Sequence, residues 1–218
     1  MSDSLQDIRY IAIEGNIGAG KSTLTKLLSE DINARGLYEH FADNPYLPEF
    51  YKNPEKNAFP LEVSFLAERY RQMQEMFESP DMFHPIVVSD FVFHKSLIFA
   101  RFTLAEPEFL VFEKVFRLLS QAAPKPDILI YLHREIPSLK ANITQRGRSY
   151  EQEMKPDYLE KVTNSYFQYF KEVHGMPIVM VKADNHDFLN DSNERKQLLR
   201  YLNPSNLKSG LNFFEELS

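Results

Sequence analysis

The chain alternates between short unbroken apolar runs and longer stretches in which apolar residues recur at helical spacing. Tyr10-Ile11-Ala12-Ile13, Pro85-Ile86-Val87-Val88, Asp127-Ile128-Leu129-Ile130-Tyr131-Leu132 and Pro177-Ile178-Val179-Met180-Val181 are runs of the first kind. Their length and β-branched content predict buried strands at 8–14, 85–90, 127–132 and 177–181, with a short strand near Leu37-Tyr38-Glu39. Apolar positions three and four apart predict helices over about 21–34, 60–78, 93–102, 107–122, 135–146 and 156–173. The stretch 43–60 is rich in Asn and Pro and predicts short helical turns. The tail from Asn203 to Ser218 is polar apart from Phe213 and Phe214 and reads as a short docking helix or a frayed end. Strands alternating with helices imply an α/β fold: a parallel sheet of about five strands with helices on both faces. A single domain over 1–218 is expected, with its core at about 8–190.

Ligands of such sheets sit beyond the carboxyl ends of the strands. The first of those ends carries Gly15-Asn16-Ile17-Gly18-Ala19-Gly20-Lys21-Ser22-Thr23, which fits G-x-x-x-x-G-K-[ST] at every fixed position. Glycines let a backbone turn tightly enough to wrap phosphate oxygens with N–H groups, and the next helix points its positive end at them. Lys21 is placed to neutralise the β- and γ-phosphates of ATP, and the Ser22 hydroxyl to ligate Mg²⁺. The strand–loop–helix order supports a P-loop kinase fold over a turn that binds nothing.

Three further clusters follow strand ends. Glu39 precedes Asp43-Asn44-Pro45-Tyr46-Leu47, Asp90 follows the third strand, and Arg146-Gly147-Arg148 leads to Glu151. A carboxylate such as Glu39 can take the proton of an attacking hydroxyl, and Asp90 can organise Mg²⁺ beside Ser22. Arg146 and Arg148 flank a glycine, as an Arg-rich lid over a transferred phosphoryl group requires. Taken singly, Glu39 reads as a surface carboxylate, Asp90 as a helix cap and Arg-Gly-Arg as a solvated loop.

Composition narrows the picture by exclusion. The 218 residues are 43% apolar with a net charge of −6, which argues for a folded chain and against a nucleic-acid-coating protein. With no cysteine, disulfides, thiolate zinc sites and cysteine nucleophiles are excluded. There is no run resembling a membrane span, and Met1 to Asp7 is unlike a signal peptide, so the expected compartment is the cytoplasm and no membrane partner is expected. His84, His94 and His133-Arg134 lack metal-ligand spacing and read as surface or structural residues.

At these residues the chain resembles the deoxynucleoside kinase family, its bacterial deoxyadenosine/deoxyguanosine kinase-like branch in particular. The resemblance rests on Gly15 to Ser22, on Glu39 before Asn44-Pro45-Tyr46-Leu47, on Tyr51, and on Arg146-Gly147-Arg148-Ser149-Tyr150-Glu151, and extends over about residues 8–190. It implies ATP-dependent phosphorylation of a deoxynucleoside 5′-hydroxyl. By position, Glu39 matches the base acting on that hydroxyl, and Tyr51 and Glu151 match the pair holding the 3′-hydroxyl. Arg69 matches a contact to the base, Arg146 and Arg148 the lid arginines, and Asp184, in Ala183-Asp184-Asn185, the loop near the donor adenine. Arg69 could equally pair with a carboxylate on its own helix. The family also implies a homodimer formed through helices, and Phe109, Leu110, Phe112 and Phe116 read as core or as that face.

Two positions depart from the family pattern. Phe91 follows Asp90 where an arginine is usual, and Lys95, one turn on, is the nearest substitute. Glu62 stands where the family commonly has a base-reading Gln. An ionised carboxylate only accepts hydrogen bonds, which suits the adjacent N1–H and 2-amino donors of guanine, with O6 left for Arg69. Adenine would need a protonated Glu62. The opposing reading pairs Glu62 with Arg69, Arg146 or Arg148 and gives it no base. The function alternatives are a thymidylate kinase-like nucleoside monophosphate kinase and a non-catalytic nucleotide-binding regulator.

Overall fold

In β1 (Tyr10–Gly15) all six residues are buried, and in β4 (Ile128–His133) all but the last. Successive side chains of a strand point to opposite faces, so a run buried throughout marks a sheet covered on both. The computed structural model describes Leu5 and residues 7–40, 44–79 and 81–214. Asp43 and the chain ends before Leu5 and after Phe214, which figure in the expectations above, lie outside them. The chain divides into two compact units, one of residues 1–38, 81–90 and 126–218, the other of residues 39–80 and 91–125.

The first unit holds the whole sheet. Its strands are β1, β2 (Arg35–Leu37), β3 (Val87–Ser89), β4, β5 (Pro177–Lys182) and β6 (Gly210–Phe214), in the order β2-β3-β1-β4-β5-β6. All five pairings are parallel; Ile11, for example, lies opposite Val88 on one side and Ile128 on the other. The order reverses direction at β1, where the switch-point rule puts a ligand. Helices α1 (Lys21–Asp31), α6 (Ile136–Arg146), α7 (Pro156–Glu172) and α8 (Ser192–Tyr201) belong to this unit. Tyr166 and Phe170 of α7 pack on Tyr131 of β4 with ring centroids 5.2 and 4.9 Å apart. Arg195 of α8 donates to Asp31 of α1 at 2.6 Å.

The second unit is helical: α2 (Tyr46–Lys52), α3 (Pro54–Glu78), α4 (Lys95–Thr103) and α5 (Glu106–Ser120). Phe93 stacks on Phe116 of α5, centroids 5.2 Å apart. Phe112 and Phe116 are core residues, while Leu110, Val111, Val115 and Leu118 are exposed.

Several expectations need correction. The sheet has six strands: the tail read as a docking helix or frayed end forms β6, whose Asn212 and Phe214 are buried while Leu211 and Phe213 face outward. The second strand lies at 35–37, two residues before its expected place, because Arg35, Gly36 and Leu37 pair with Val87, Val88 and Ser89. Helix α3 begins at Pro54, not 60. Asn53 caps it by accepting from Lys56 N–H, Pro54 occupies the first turn, and the helix continues through Pro60. Helix α8 was not anticipated; among its ten residues only Arg195, Leu198 and Leu199 are buried.

Candidate active site

The loop between β1 and α1 is held by its own backbone. Gly15 and Gly18 have φ of 155° and 81°; a Cβ on Gly15 would sit 2.6 Å from Leu132 O, and one on Gly18 2.8 Å from Leu139 O. These two positions therefore require glycine for close approach as well as for conformation. Asn16 fixes the loop from inside: its Oδ1 accepts from Ile17 N–H at 2.7 Å, and its Nδ2 donates to Leu159 O at 2.7 Å and Thr163 Oγ1 at 2.8 Å, both on α7. Asn142 of α6 donates to Gly18 O at 2.8 Å. Behind the loop, Glu14 is fully buried and accepts from Tyr166 Oη at 2.6 Å. Lys21 Nζ donates to the carbonyls of Gly15 and Asn16, each at 2.9 Å. Gly20 caps helix α1 with no side-chain hydrogen bond, and the first turn has no acidic residue, so nothing acidic there opposes an anion at its N–H dipoles.

Ser22 Oγ donates to Asp90 Oδ2, which joins the two residues expected at a metal. A hydroxyl oxygen beside a carboxylate is a hard-oxygen pair of the kind Mg²⁺ takes. At the end of β4, Arg134 donates from Nε to Ala19 O at 3.1 Å and from a terminal nitrogen to Asp184 Oδ1 at 2.9 Å. Asp184 Oδ2 also accepts from Glu135 N–H at 2.8 Å. Burial alone would raise the Asp184 carboxyl; these hydrogen bonds and the Arg134 charge hold it below the usual range. The phosphate loop and the Ala183–Asn185 turn are thus tied by Arg134, a residue that reads as surface or structural from sequence. After α6, Gly147 turns the chain at φ 73°, and Glu151, 5% exposed, accepts from Arg146 and, at 3.4 Å, from Arg148.

In the second unit, Glu39, Arg69, Lys95 and Ser96 form one cluster. Lys95 Nζ lies 2.5 Å from Glu39 Oε2. Arg69 brings Nε and a terminal nitrogen to 2.7 and 2.6 Å from Glu39 Oε1 and donates from its other terminal nitrogen to Ser96 Oγ at 2.8 Å. Its guanidinium lies over the Phe65 ring, 4.9 Å from the centroid. Arg69 therefore pairs with a carboxylate, but not with one on its own helix. Burial would raise the Glu39 carboxyl; the charges and hydrogen bonds of Lys95 and Arg69 overturn that and lower it to about 2. Phe91 is fully buried, and Lys95, one turn on, reaches Glu39 alongside Arg69.

Glu62 lies in the same unit, 2% exposed. Its hydrogen-bond partner is Thr103, whose hydroxyl donates to Oε1 at 2.9 Å; Oε2 is buried with no hydrogen-bond partner. It is not hydrogen-bonded to Arg69, the pairing that would have left it no ligand. Burial pushes its carboxyl up to about 7, against the Arg69 charge and the Thr103 hydrogen bond. Tyr51 lies in this unit, its ring edge-on to Phe50 at 5.5 Å. Ser96 and Thr103 are the site residues missed from sequence; hydroxyls on a helix carry no signal until their partners are known.

The model of the deoxynucleoside kinase family matches residues 11–205. A deoxyguanosine kinase of Bacillus subtilis is 32% identical over 197 residues, 88% of this chain and 95% of its own length. A deoxyadenosine/deoxycytidine kinase of the same organism is 29% identical over 196 residues, covering 87% of this chain and 89% of its own. The structure of a deoxyadenosine kinase from M. mycoides with bound dATP superposes with a TM-score of 0.75 at 23% identity, over 87% of this chain and 98% of that one. No helix among the described residues is long and apolar enough to cross a membrane. A family match from β1 to the turn before β6, on a parallel sheet whose phosphate loop is complete at every fixed position, leaves one conclusion: the chain belongs to the deoxynucleoside kinase family.

Proposed function

We propose that the chain, working as a single kinase domain, transfers the γ-phosphoryl group of ATP to the 5′-hydroxyl of a purine deoxynucleoside, with deoxyguanosine foremost. The observation that carries the base is Glu62, a buried carboxyl with one oxygen on Thr103 and the other without a hydrogen-bond partner. A purine edge with hydrogen-bond donors supplies what that oxygen lacks. The similarity to a deoxyguanosine kinase agrees with it.

The roles follow from charge and geometry. The N–H groups from Gly15 to Thr23 cradle the donor phosphates, and Lys21, exchanging its two carbonyl partners for phosphate oxygens, neutralises them. Ser22 and Asp90 would hold Mg²⁺, which would supply positive charge against the donor phosphates. Arg146 and Arg148, as lid arginines, offset the charge on the transferred group. Asp184 keeps the donor-side turn in register through Arg134. Glu39, held ionised by two cations, is too weak a base to strip a hydroxyl early. It accepts the 5′-hydroxyl hydrogen bond, aims the oxygen at the phosphorus and receives the proton as the bond to phosphorus forms. Tyr51 and Glu151 hold the 3′-hydroxyl, and Arg69 and Glu62 face the base. The exposed Leu110, Val111, Val115 and Leu118 of α5 form the face through which the chain pairs as a homodimer. The compartment we assign is the cytoplasm.

The test is ATP-dependent phosphorylation of deoxyguanosine, deoxyadenosine, deoxycytidine and thymidine, with Mg²⁺, by wild type and Glu39→Gln. Purine turnover that falls about 10²–10⁴-fold in the variant is the expected result. Deoxycytidine or thymidine turned over far better than either purine would overturn the base assignment.

A further inference from the structure

The Thr103 hydroxyl lies 2.9 Å from Glu62 Oε1 and also 2.9 Å from Phe99 O. One hydroxyl hydrogen therefore has two acceptors. With Glu62 ionised, the hydrogen goes to Oε1. With a proton on Oε2, the oxygen without a hydrogen-bond partner, Thr103 keeps its bond to Oε1 and the acid O–H is left for a ligand. Either protonation state is satisfied on that side with no heavy atom moved. The charges acting on Glu62 are Arg69 of its own helix and Lys95 of α4, which favour the carboxylate, and Glu39, which favours the acid. Burial, the largest influence, acts with Glu39 and against the two cations, and together they bring the carboxyl to about 7. Glu39, in the same unit, is locked in one state by its two cations; Glu62 is not.

We propose that the proton on Glu62 selects the base: the carboxylate takes deoxyguanosine, the carboxylic acid takes deoxyadenosine, and one chain changes its preferred substrate with pH. This rests on Glu62 facing the base. The purine N1 is the discriminating atom. In guanine it carries a hydrogen, and with the 2-amino group it offers two donors to two acceptor oxygens. In adenine it is a lone pair beside the 6-amino donor, and it calls for one O–H and one oxygen. The mismatched state places a buried carboxylate against a lone pair, or an acid proton against an N–H, and leaves a polar group unpaired in either case.

The experiment is the ratio of kcat/KM for deoxyguanosine over deoxyadenosine between about pH 6 and 8.5, where neither free base titrates. Requirements common to both substrates, those of Glu39 and of ATP included, cancel in the ratio. Mass action on one proton makes the ratio rise about tenfold per pH unit, about a hundredfold over two units. Deoxyinosine, which keeps N1–H but lacks the amino group, follows deoxyguanosine. Glu62→Gln presents one donor and one acceptor at every pH, so its ratio is flat and shifted toward deoxyadenosine. A flat wild-type ratio with a shifted ratio in Glu62→Gln would overturn the proton switch and leave base reading by Glu62 standing. Ratios identical in the two proteins at every pH would show that Glu62 reads no base, and both readings would fall. A readout without turnover is the ¹³C shift of the Glu62 carboxyl, assigned by difference from Glu62→Gln; a midpoint below about 5 would also overturn the switch.

Discussion

Glu39 and Glu62 lie in the same helical unit, both largely removed from water, and their carboxyls are driven in opposite directions. Glu39 has Arg69 on one oxygen and Lys95 on the other, and falls to about 2. Glu62 has a hydroxyl on one oxygen and no hydrogen-bond partner on the other, and rises to about 7. Burial acts on both with the same sign; direct contact with a cation decides the outcome. The difference fits the roles proposed above: a carboxylate that stays charged suits a reacting hydroxyl, and one that can hold a proton suits a donor–acceptor pattern.

The contrast can be broken most severely at Arg69. Arg69→Met leaves Glu39 with Lys95 as its one remaining cation in this cluster, and should cost about 3–5 kcal/mol in urea unfolding at neutral pH, as removing one partner of a buried pair does. A loss under about 1 kcal/mol would mean the pair adds nothing to the fold. The next effect is the opposed pH dependence of the two carboxyls. Glu39 has a lowered folded value, so its stabilisation is full above the unfolded carboxyl value near 4.5 and is lost as pH falls toward about 2. Glu62 has a raised folded value, so it favours the fold below about 4.5 and that contribution is lost as pH rises toward 7. Glu62→Gln should therefore unfold later than wild type above pH 7, by up to about 3 kcal/mol, with the advantage gone by about pH 4. An equal difference at both ends would show that Glu62 does not titrate. The smallest change sharpens the contrast: Thr103→Val removes the one hydrogen bond on Glu62, costs about 1 kcal/mol, and moves the Glu62 midpoint further up in a ¹³C titration. A midpoint that stays put or falls would separate Thr103 from the carboxyl.

The phosphate loop was legible because its requirements are local. Gly15 and Gly18 each face a carbonyl within 2.6–2.8 Å of a virtual Cβ, and the spacing of such glycines is written in the sequence itself. Strands β1, β4 and β5 were legible because burial on both faces demands unbroken apolar runs. Strand β6 was not: an edge strand needs one buried face, and Asn212 and Phe214 alternating with Leu211 and Phe213 beside Gly210 resemble a loop. Helix α8 buries too few apolar residues to show a stripe; Asp191, which accepts from Asn193 N–H, was its one local sign as a cap. The Glu39 cluster spans 30 residues to Arg69 and 56 to Lys95, and Arg69 has Glu68 beside it in sequence as an equal candidate. Pairing over such separations is set by how helices pack, which no spacing rule encodes. Thr103 lies 41 residues from Glu62, so a helix-end hydroxyl became part of the site only through folding.

Asn142 and Asn16 carry one more consequence. The first roots α6 on the phosphate loop through Gly18 O, the second roots the loop on α7 through Leu159 and Thr163, and the stretch bearing Arg148 and Glu151 runs between those two footings. A tether pinned at both ends sweeps a small volume, and the entropy surrendered when it settles over a ligand grows slowly with its length. In the lid role proposed for them, Arg146 and Arg148 would search a short arc, and lengthening the stretch by a few glycines would dilute their local concentration at the phosphates while leaving the loop beneath them untouched.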